Sequence, residues 1–373
     1  MKKFKCVAAG ICCLWTISVN AQDYPVLTEN DDDYILTIPY LEYGGVDDTK
    51  ASSAELIASK ANDSLIFSVN ESSLIALDVD SPSPISGDGA CSRTTNAQFL
   101  SCRAGVQNDF FEGQANCFNI SDADEQAECM AEVEEERLDA VEECGAIEEV
   151  HEALCEVFGE DPYDPDLDGI TFVDMDAIAA NPNPFFPLIP GNIWVYEAED
   201  ETITVVVLDE IRQIMGIDAV VVRDTVEEDG ELVEDTMDWY AQDDDGNVWY
   251  MGEISLNYED GELVDIDGSW ETGKDGAKPG ILFRAMPEVG EVYRQEYRIG
   301  EAEDIGETLA LDADESTESG FECASGCLQN LEYTPLDPEV EEHKYYLPGT
   351  GMILEVDLEN GERVELVDFT SAL

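Results

Sequence analysis

The sequence predicts an α+β, multi-module protein: a small N-terminal β unit, a disulfide-braced α-helical hairpin, and a large antiparallel β-meander that curls into a half-barrel or barrel-like C-terminal domain. Three observations carry this prediction. Cys91, Cys102, Cys117, Cys129, Cys144 and Cys155 are spaced 11, 15, 12, 15 and 11 residues apart, a mirror order suited to two antiparallel helices. Beyond Gly191, short runs of β-branched and aromatic residues alternate with Asp-Gly turn signals. Ahead of the cysteines, residues 22–80 hold short apolar runs separated by turn-rich stretches.

The chain opens on Met1-Lys2-Lys3-Phe4-Lys5, an apolar run from Cys6 to Val19, and small residues at Val19 and Ala21 before Gln22. A basic start, an apolar middle and a small-residue cleavage site are the pattern of a secretory signal peptide over residues 1–21, so a secreted or periplasmic protein is expected. Removing it leaves 87 acids against 14 bases, a charge of −73, and eight cysteines, an even number suited to an oxidising compartment. No later segment is apolar enough to predict a transmembrane helix. Nucleic acid and anionic membrane surfaces would be repelled by such a chain and are excluded as partners. The acids are spread along the whole sequence, which fits a halophilic surface in salty surroundings, where screening shortens repulsion. With 44% hydrophobic and 9% aromatic residues the chain is no disordered acidic polymer.

Within 22–80, Tyr34–Leu41 and Ser64–Val69 read as strands and Ala51–Ala61 as a short helix. Residues 81–90, with Ser81-Pro82-Ser83-Pro84, read as a linker. Residues 91–158 turn helical. Gaps of 11 and 15 are close to three and four helical turns, so each helix presents its cysteines on one side, and of the fifteen pairings six cysteines allow, the nested set Cys91–Cys155, Cys102–Cys144, Cys117–Cys129 is expected, though spacing alone does not prove it. Ser121-Asp122-Ala123-Asp124, at the centre of the mirror, has the form that opens a helix. Gly105 and Gly113 weaken the upstream helix. A zinc or haem site is disfavoured, because no CxxC or CxxCH occurs and His151 is the only histidine nearby. Residues 159–190, rich in proline and acid, read as a connector, which makes the hairpin a braced spacer between two β units.

In 191–373, Glu228-Asp229-Gly230-Glu231 recurs 31 residues later as Glu259-Asp260-Gly261-Glu262, each Asp-Gly predicting a tight hairpin turn. Similar runs to Phe369 give ten or eleven strands in a meander, apolar on both faces. Such a sheet must be covered on both faces, curl into a barrel, or hold something. Gly191–Glu197, the Asp238–Glu253 hairpin, Gly268-Ser269-Trp270-Glu271, and Lys344-Tyr345-Tyr346 before Gly349-Thr350-Gly351 resemble an uncharacterised family of secreted bacterial proteins. Over residues 185–370, the meandering sheet of that family is similar to the open half-barrels of periplasmic lipoprotein carriers. The resemblance implies a fold and carries over no functional residues.

The expected function is non-enzymatic: a secreted or envelope-associated binding protein holding an apolar ligand or an envelope protein partner on the concave face of its sheet. Trp194, Tyr196, Trp239, Trp249 and Trp270 are the candidate ligand-binding residues. The alternative is a calcium-organised structural or adhesive protein. Asp164, Asp166 and Asp168 before Gly169 form a DxDxDG string, which reads either as half of a calcium loop or as acidic linker, since Met175 stands where an EF-hand needs a bidentate acid. Asp243, Asp245 and Asn247 repeat the string but read better as a hairpin turn. A third reading, a carboxylate-dependent hydrolase, requires two acids facing one cleft, and no GxSxG, HExxH or P-loop supports another chemistry. Cys323 and Cys327 read as a local disulfide staple.

Overall fold

In a computed structural model, the chain divides into two compact units, residues 1–84 and 85–373. The structure describes residues 85–199 and 201–372 and, within 26–69, the backbone of four strands. The predicted signal peptide and residues 81–84 of the predicted 81–90 linker lie outside the described residues.

The strands of the first unit, β1 (Val26–Glu29), β2 (Asp33–Tyr40), β3 (Ser52–Ala61) and β4 (Ser64–Val69), form an antiparallel sheet in sequence order. The helix expected over 51–61 is therefore a strand. It pairs with β2 on one side and β4 on the other, and cross-strand pairing outweighs local propensity there.

The second unit begins with helices α1 (Ala90–Cys117) and α2 (Ala123–Phe158), an antiparallel pair. All three nested disulfides form, with Cα separations of 5.6, 5.9 and 5.7 Å. The helix-opening signal sits one residue later than the sequence suggested: Asp122 caps α2, its Oδ1 accepting from the amides of Asp124 and Glu125. Gly113 does not break α1. A Cβ there would lie 2.9 Å from a methyl of Val133, so the glycine is what lets the helices approach.

The remainder is a fifteen-stranded antiparallel sheet. Its main strands are β5 (Ile193–Glu197), β6 (Glu201–Ile214), β7 (Ile217–Glu228), β8 (Glu231–Gln242) and β9 (Val248–Glu259), with short β10 (Glu262–Asp265) and β11 (Trp270–Glu271) paired onto β9. They continue as β12 (Lys278–Phe283), β13 (Val292–Arg294), β14 (Glu296–Tyr297), β15 (Ile305–Ala313), β16 (Cys327–Thr334), β17 (Asp337–Leu347), β18 (Gly351–Asp357) and β19 (Arg363–Thr370). The two ends of the strand order, β13 and β14, are consecutive in the chain and separated only by Gln295, so the sheet is nearly closed into a barrel. The count exceeds ten or eleven because β10, β11, β13 and β14, of two to four residues, are too short to show an alternating pattern. Asp229-Gly230 and Asp260-Gly261 both have positive φ at each turn residue, as a tight hairpin between twisted strands requires.

Both faces are apolar where β7 to β9 run, and each has its own cover. Inward, Val220, Val222, Tyr240, Val248 and Tyr250 join Trp194, Tyr196, Leu328 and Leu354 in the main core. Outward, Ala219, Val221, Trp239, Ala241, Trp249 and Met251 lie under Leu167, Ile170 and Phe172. Those three come from the stretch expected to be a linker, and the expectation is corrected here. Residues 159–190 instead pack along the sheet and plug one end of the barrel. Phe186 lies within ring-contact distance of Trp194, Tyr240 and Phe283, and Leu188 and the short helix α3 (Met175–Ala180) contribute buried Leu188 and Ile178 to the core. The proline and acid content hid these apolar residues, which have no regular period because they serve two faces in turn. The hairpin is likewise docked on the barrel, through Gln98, His151 and Phe158.

Candidate functional site

The alternation of strand side chains divides the barrel interior along its length. Near the plug, inward positions are aromatic or aliphatic. Towards the opposite end they become ionisable: Asp224 on β7, Asp238 on β8, Glu253 on β9, Glu332 on β16, and Glu342 and Lys344 on β17, with Asp304 exposed at the rim.

Two networks occupy this acidic end. In the first, the Tyr250 hydroxyl lies 2.5 Å from Asp238 Oδ1 and 2.8 Å from Glu253 Oε2. One hydroxyl carries one hydrogen, so a protonated carboxyl must supply the second bond. Burial accordingly raises Asp238 to about 6 and pushes Glu253 well above the usual carboxylate range, the Asp238 charge adding to the effect. Glu296 is also held well up, by burial and then by Asp304. In the second network, Lys344 Nζ is 3.0 Å from Glu342, 3.1 Å from Glu355 and 3.6 Å from Glu332. Burial alone would lower this ammonium's pKa, but Glu355, Glu332 and Glu342 more than offset it and raise it well above the usual lysine value. Glu332 also accepts from Tyr346 Oη at 2.6 Å and Asn330 Nδ2 at 3.3 Å.

A separate cleft of about 720 Å³ opens between the hairpin and the barrel rim. One wall is α1, with Ala97, Gln98 and Cys102, and the other is formed by Ile299, Gly300 and Leu336. Beneath it, buried Glu303 ties the two walls together. Its Oε1 accepts from Gln98 Nε2 at 2.6 Å and from the Gly300 amide at 2.8 Å, and its Oε2 lies 3.1 Å from His151 Nε2. The carbonyl of Ile147, 2.8 Å from His151 Nδ1, can only accept, so Nδ1 carries a hydrogen. Gln98 Oε1 has no partner.

The sequence-predicted ligand residues do not form an exposed concave surface. Trp194, Tyr196 and Trp270 are buried in the inner core, and Trp239 and Trp249 in the outer one, none more than 7% exposed. Trp194 Nε1 donates to the Thr350 carbonyl, Tyr196 Oη to Met352 and Trp249 Nε1 to Asp243. These tryptophans hold the barrel together, and the expectation of an aromatic ligand platform is corrected. Trp239 and Trp270 reach the edge of a second, smaller cleft of about 220 Å³, beside Arg212, Glu253 and Glu271. There Arg212 covers the Trp239 ring at 3.8 Å and pairs with Glu271. Partial burial pushes Glu271 up, but Lys274 and Arg212 hold it below the usual range.

The DxDxDG string is not gathered into a cation site among the described residues. Asp164, Asp166 and Asp168 are exposed and do not converge, and Asp164 pairs with Lys278. Among the described residues, no three His, Cys, Asp or Glu side chains are grouped to hold a metal ion. Asp243 serves its hairpin turn, accepting from the backbone and side chain of Asn247. Cys323 and Cys327 form the expected local disulfide.

Sequence reasoning missed His151 and Lys344. His151 lies four residues after Ile147 on the apolar stripe of α2, and a histidine on a buried stripe signals a buried partner. Lys344 precedes two buried tyrosines on a strand, a position that alternation places inside the barrel. Comparison with protein-family profiles, curated proteins and solved structures yields no match. The barrel-like sheet agrees with the half-barrel resemblance at the level of fold alone.

Proposed function

We propose that this is a non-enzymatic ligand-binding protein that holds an uncharged apolar molecule in the cleft between the helical hairpin and the barrel. The observation that carries the reading is a cleft of about 720 Å³ that sets the aliphatic Ala90, Ala97, Ile147, Ile299 and Leu336 beside the polar Arg93, Thr94, Gln98 and Ser101. Small-molecule sites have this size and chemistry. The disulfide Cys102–Cys144 stands behind one wall and the Glu303 network beneath both, so the walls are fixed before a ligand arrives. Preformed walls reduce the ordering cost of binding. The charge of −70 argues for a neutral ligand over a fatty-acid anion. Against hydrolysis, Asp238 and Glu253 both engage the Tyr250 hydroxyl and Asp238 is only 6% exposed, so the pair is turned to its own network and not to a substrate cleft.

The test is a titration with the neutral dye Nile red, comparing the native chain with Ala97→Trp, which fills the cleft from α1. Saturable binding to one site, weakened at least about tenfold in the variant at an unchanged melting temperature, is the expected result. Equal binding by both chains would sink the proposal.

A further inference from the structure

The second cleft, of about 220 Å³, shares no lining residue with the cleft beside the hairpin. It is smaller than the roughly 300–1,000 Å³ of sites for drug-sized ligands, so it suits a small guest. Its lining runs against the composition of the chain. Only 17 of 373 residues are lysine or arginine, yet three of them, Arg212, Lys274 and Arg298, meet at this one place.

The carboxylates nearby do not match these cations one for one. Glu271 serves two of them, lying 2.5 Å from Arg212 Nη2 and 2.9 Å from Lys274 Nζ. Arg298 gives one amino group to the Ser269 carbonyl, and its nearest carboxylate among the described residues is that of Glu301, at 3.8 Å. The Arg212 guanidinium lies flat over the Trp239 ring, 3.8 Å from its centre, and its Nε and Nη1 have no acceptor among the described residues. A guanidinium fixed by stacking, with one edge open, is prepared for a carboxylate. On the same cleft Asp275 is exposed and has neither an ion pair nor a side-chain hydrogen bond among the described residues. The lining therefore asks for both signs of charge on one guest.

The charge of the whole chain selects among such guests. A simple anion must approach against the field of a chain of charge −70, which repels it over a Debye length of about 8 Å at 0.15 M salt. A zwitterion has no net charge to be repelled, and once inside it meets the lining at distances too short to be screened. We propose that this cleft binds a small zwitterion, a free α-amino acid, with its carboxylate on Arg212 and Arg298 and its ammonium on Asp275. Ile254, 37% exposed at the same cleft, gives an aliphatic side chain an apolar wall.

The experiment is calorimetric titration of the full chain with glycine and, separately, L-leucine, at about 0.15 M salt. Each is compared with its amide, which lacks the carboxylate, and with the corresponding acid lacking the amine, acetate or 4-methylpentanoate. One saturable site for at least one of the two amino acids is expected, with both of its analogues weaker by about tenfold or more. Arg298→Gln and Asp275→Asn should each weaken binding by about tenfold at an unchanged melting temperature, and the remote control Arg363→Gln should not. Asparagine tolerates the positive φ of position 275, so that variant keeps its turn. Absence of saturable binding by both amino acids would overturn the proposal, as would equal binding of the deaminated acid, which marks a bare anion site, or of the amide. Variants that bind like the native chain would overturn it too, by placing the site elsewhere. Nile red binding does not enter this test, so either proposal can fail alone.

Discussion

Of the 28 residues of α1 only Thr95 and Cys117 are buried, whereas on β7 four consecutive residues, Ala219 to Val222, are buried in two different cores. The helical hairpin has one thin seam and the barrel has a cover on each face. Two helices cannot remove enough apolar surface from water to offset the ordering of 64 residues, at about 1–2 kcal/mol each for the backbone. Cross-links at the root, middle and tip of the pair add to its stability by restricting the unfolded chain, about 3–4 kcal/mol for each taken alone. The barrel carries a single disulfide spanning four residues and relies on packing instead. That surplus of packing is what allows it to tolerate ionisable groups inside.

The largest way to break this comparison is reduction. With all disulfides opened, the hairpin should lose its amide protection while the barrel keeps its near-ultraviolet aromatic signal. Simultaneous loss of both, seen by hydrogen exchange and circular dichroism, would mean that the hairpin supports the barrel and not only itself. Next in size, Trp194→Ala should cost about 3–5 kcal/mol in denaturant unfolding, because it vacates a fully buried site stacked on Phe186 and Phe369. A loss below about 1 kcal/mol would show that the inner core is not close-packed.

A third, comparable effect is in pH. Asp238 titrates at about 6 in the fold, against about 4 unfolded. Because the folded value is raised, the stabilisation from its neutral carboxyl is whole below about pH 4 and is lost as pH rises through 6, about 3 kcal/mol in all. The difference in melting temperature between the native chain and Asp238→Asn should therefore shift in favour of the variant across that window. A constant difference would remove the shared proton. The smallest change is at the hairpin tip: Asp122→Ala removes the α2 cap and should cost about 1 kcal/mol, seen first as fraying near Cys129.

How much was legible follows the same division. The hairpin could be read because its contacts are local and periodic: helical geometry converts equal spacings into facing cysteines, and the nested pairing expected from the mirror is the one that forms. Its docking could not, since His151 meets Glu303, 152 residues away. The turns Asp229-Gly230 and Asp260-Gly261 were legible from residue type, but Met215-Gly216 adopts the same positive φ without the asparagine or aspartate that would announce it. The aromatic residues were legible as strand residues but their burial was not, because alternation yields two faces and is silent on what covers each.

The sequence by itself determined the helical hairpin with its facing cysteines, the antiparallel meander and the strongly anionic composition, all set by residue type at short spacing. Only the tertiary structure decided that residues 159–190 plug the barrel, that its tryptophans are core, and that Lys344 sits among three carboxylates. Those outcomes depend on curvature summed over fifteen strands, and a sheet's closure brings together side chains whose separation along the chain carries no trace of their meeting.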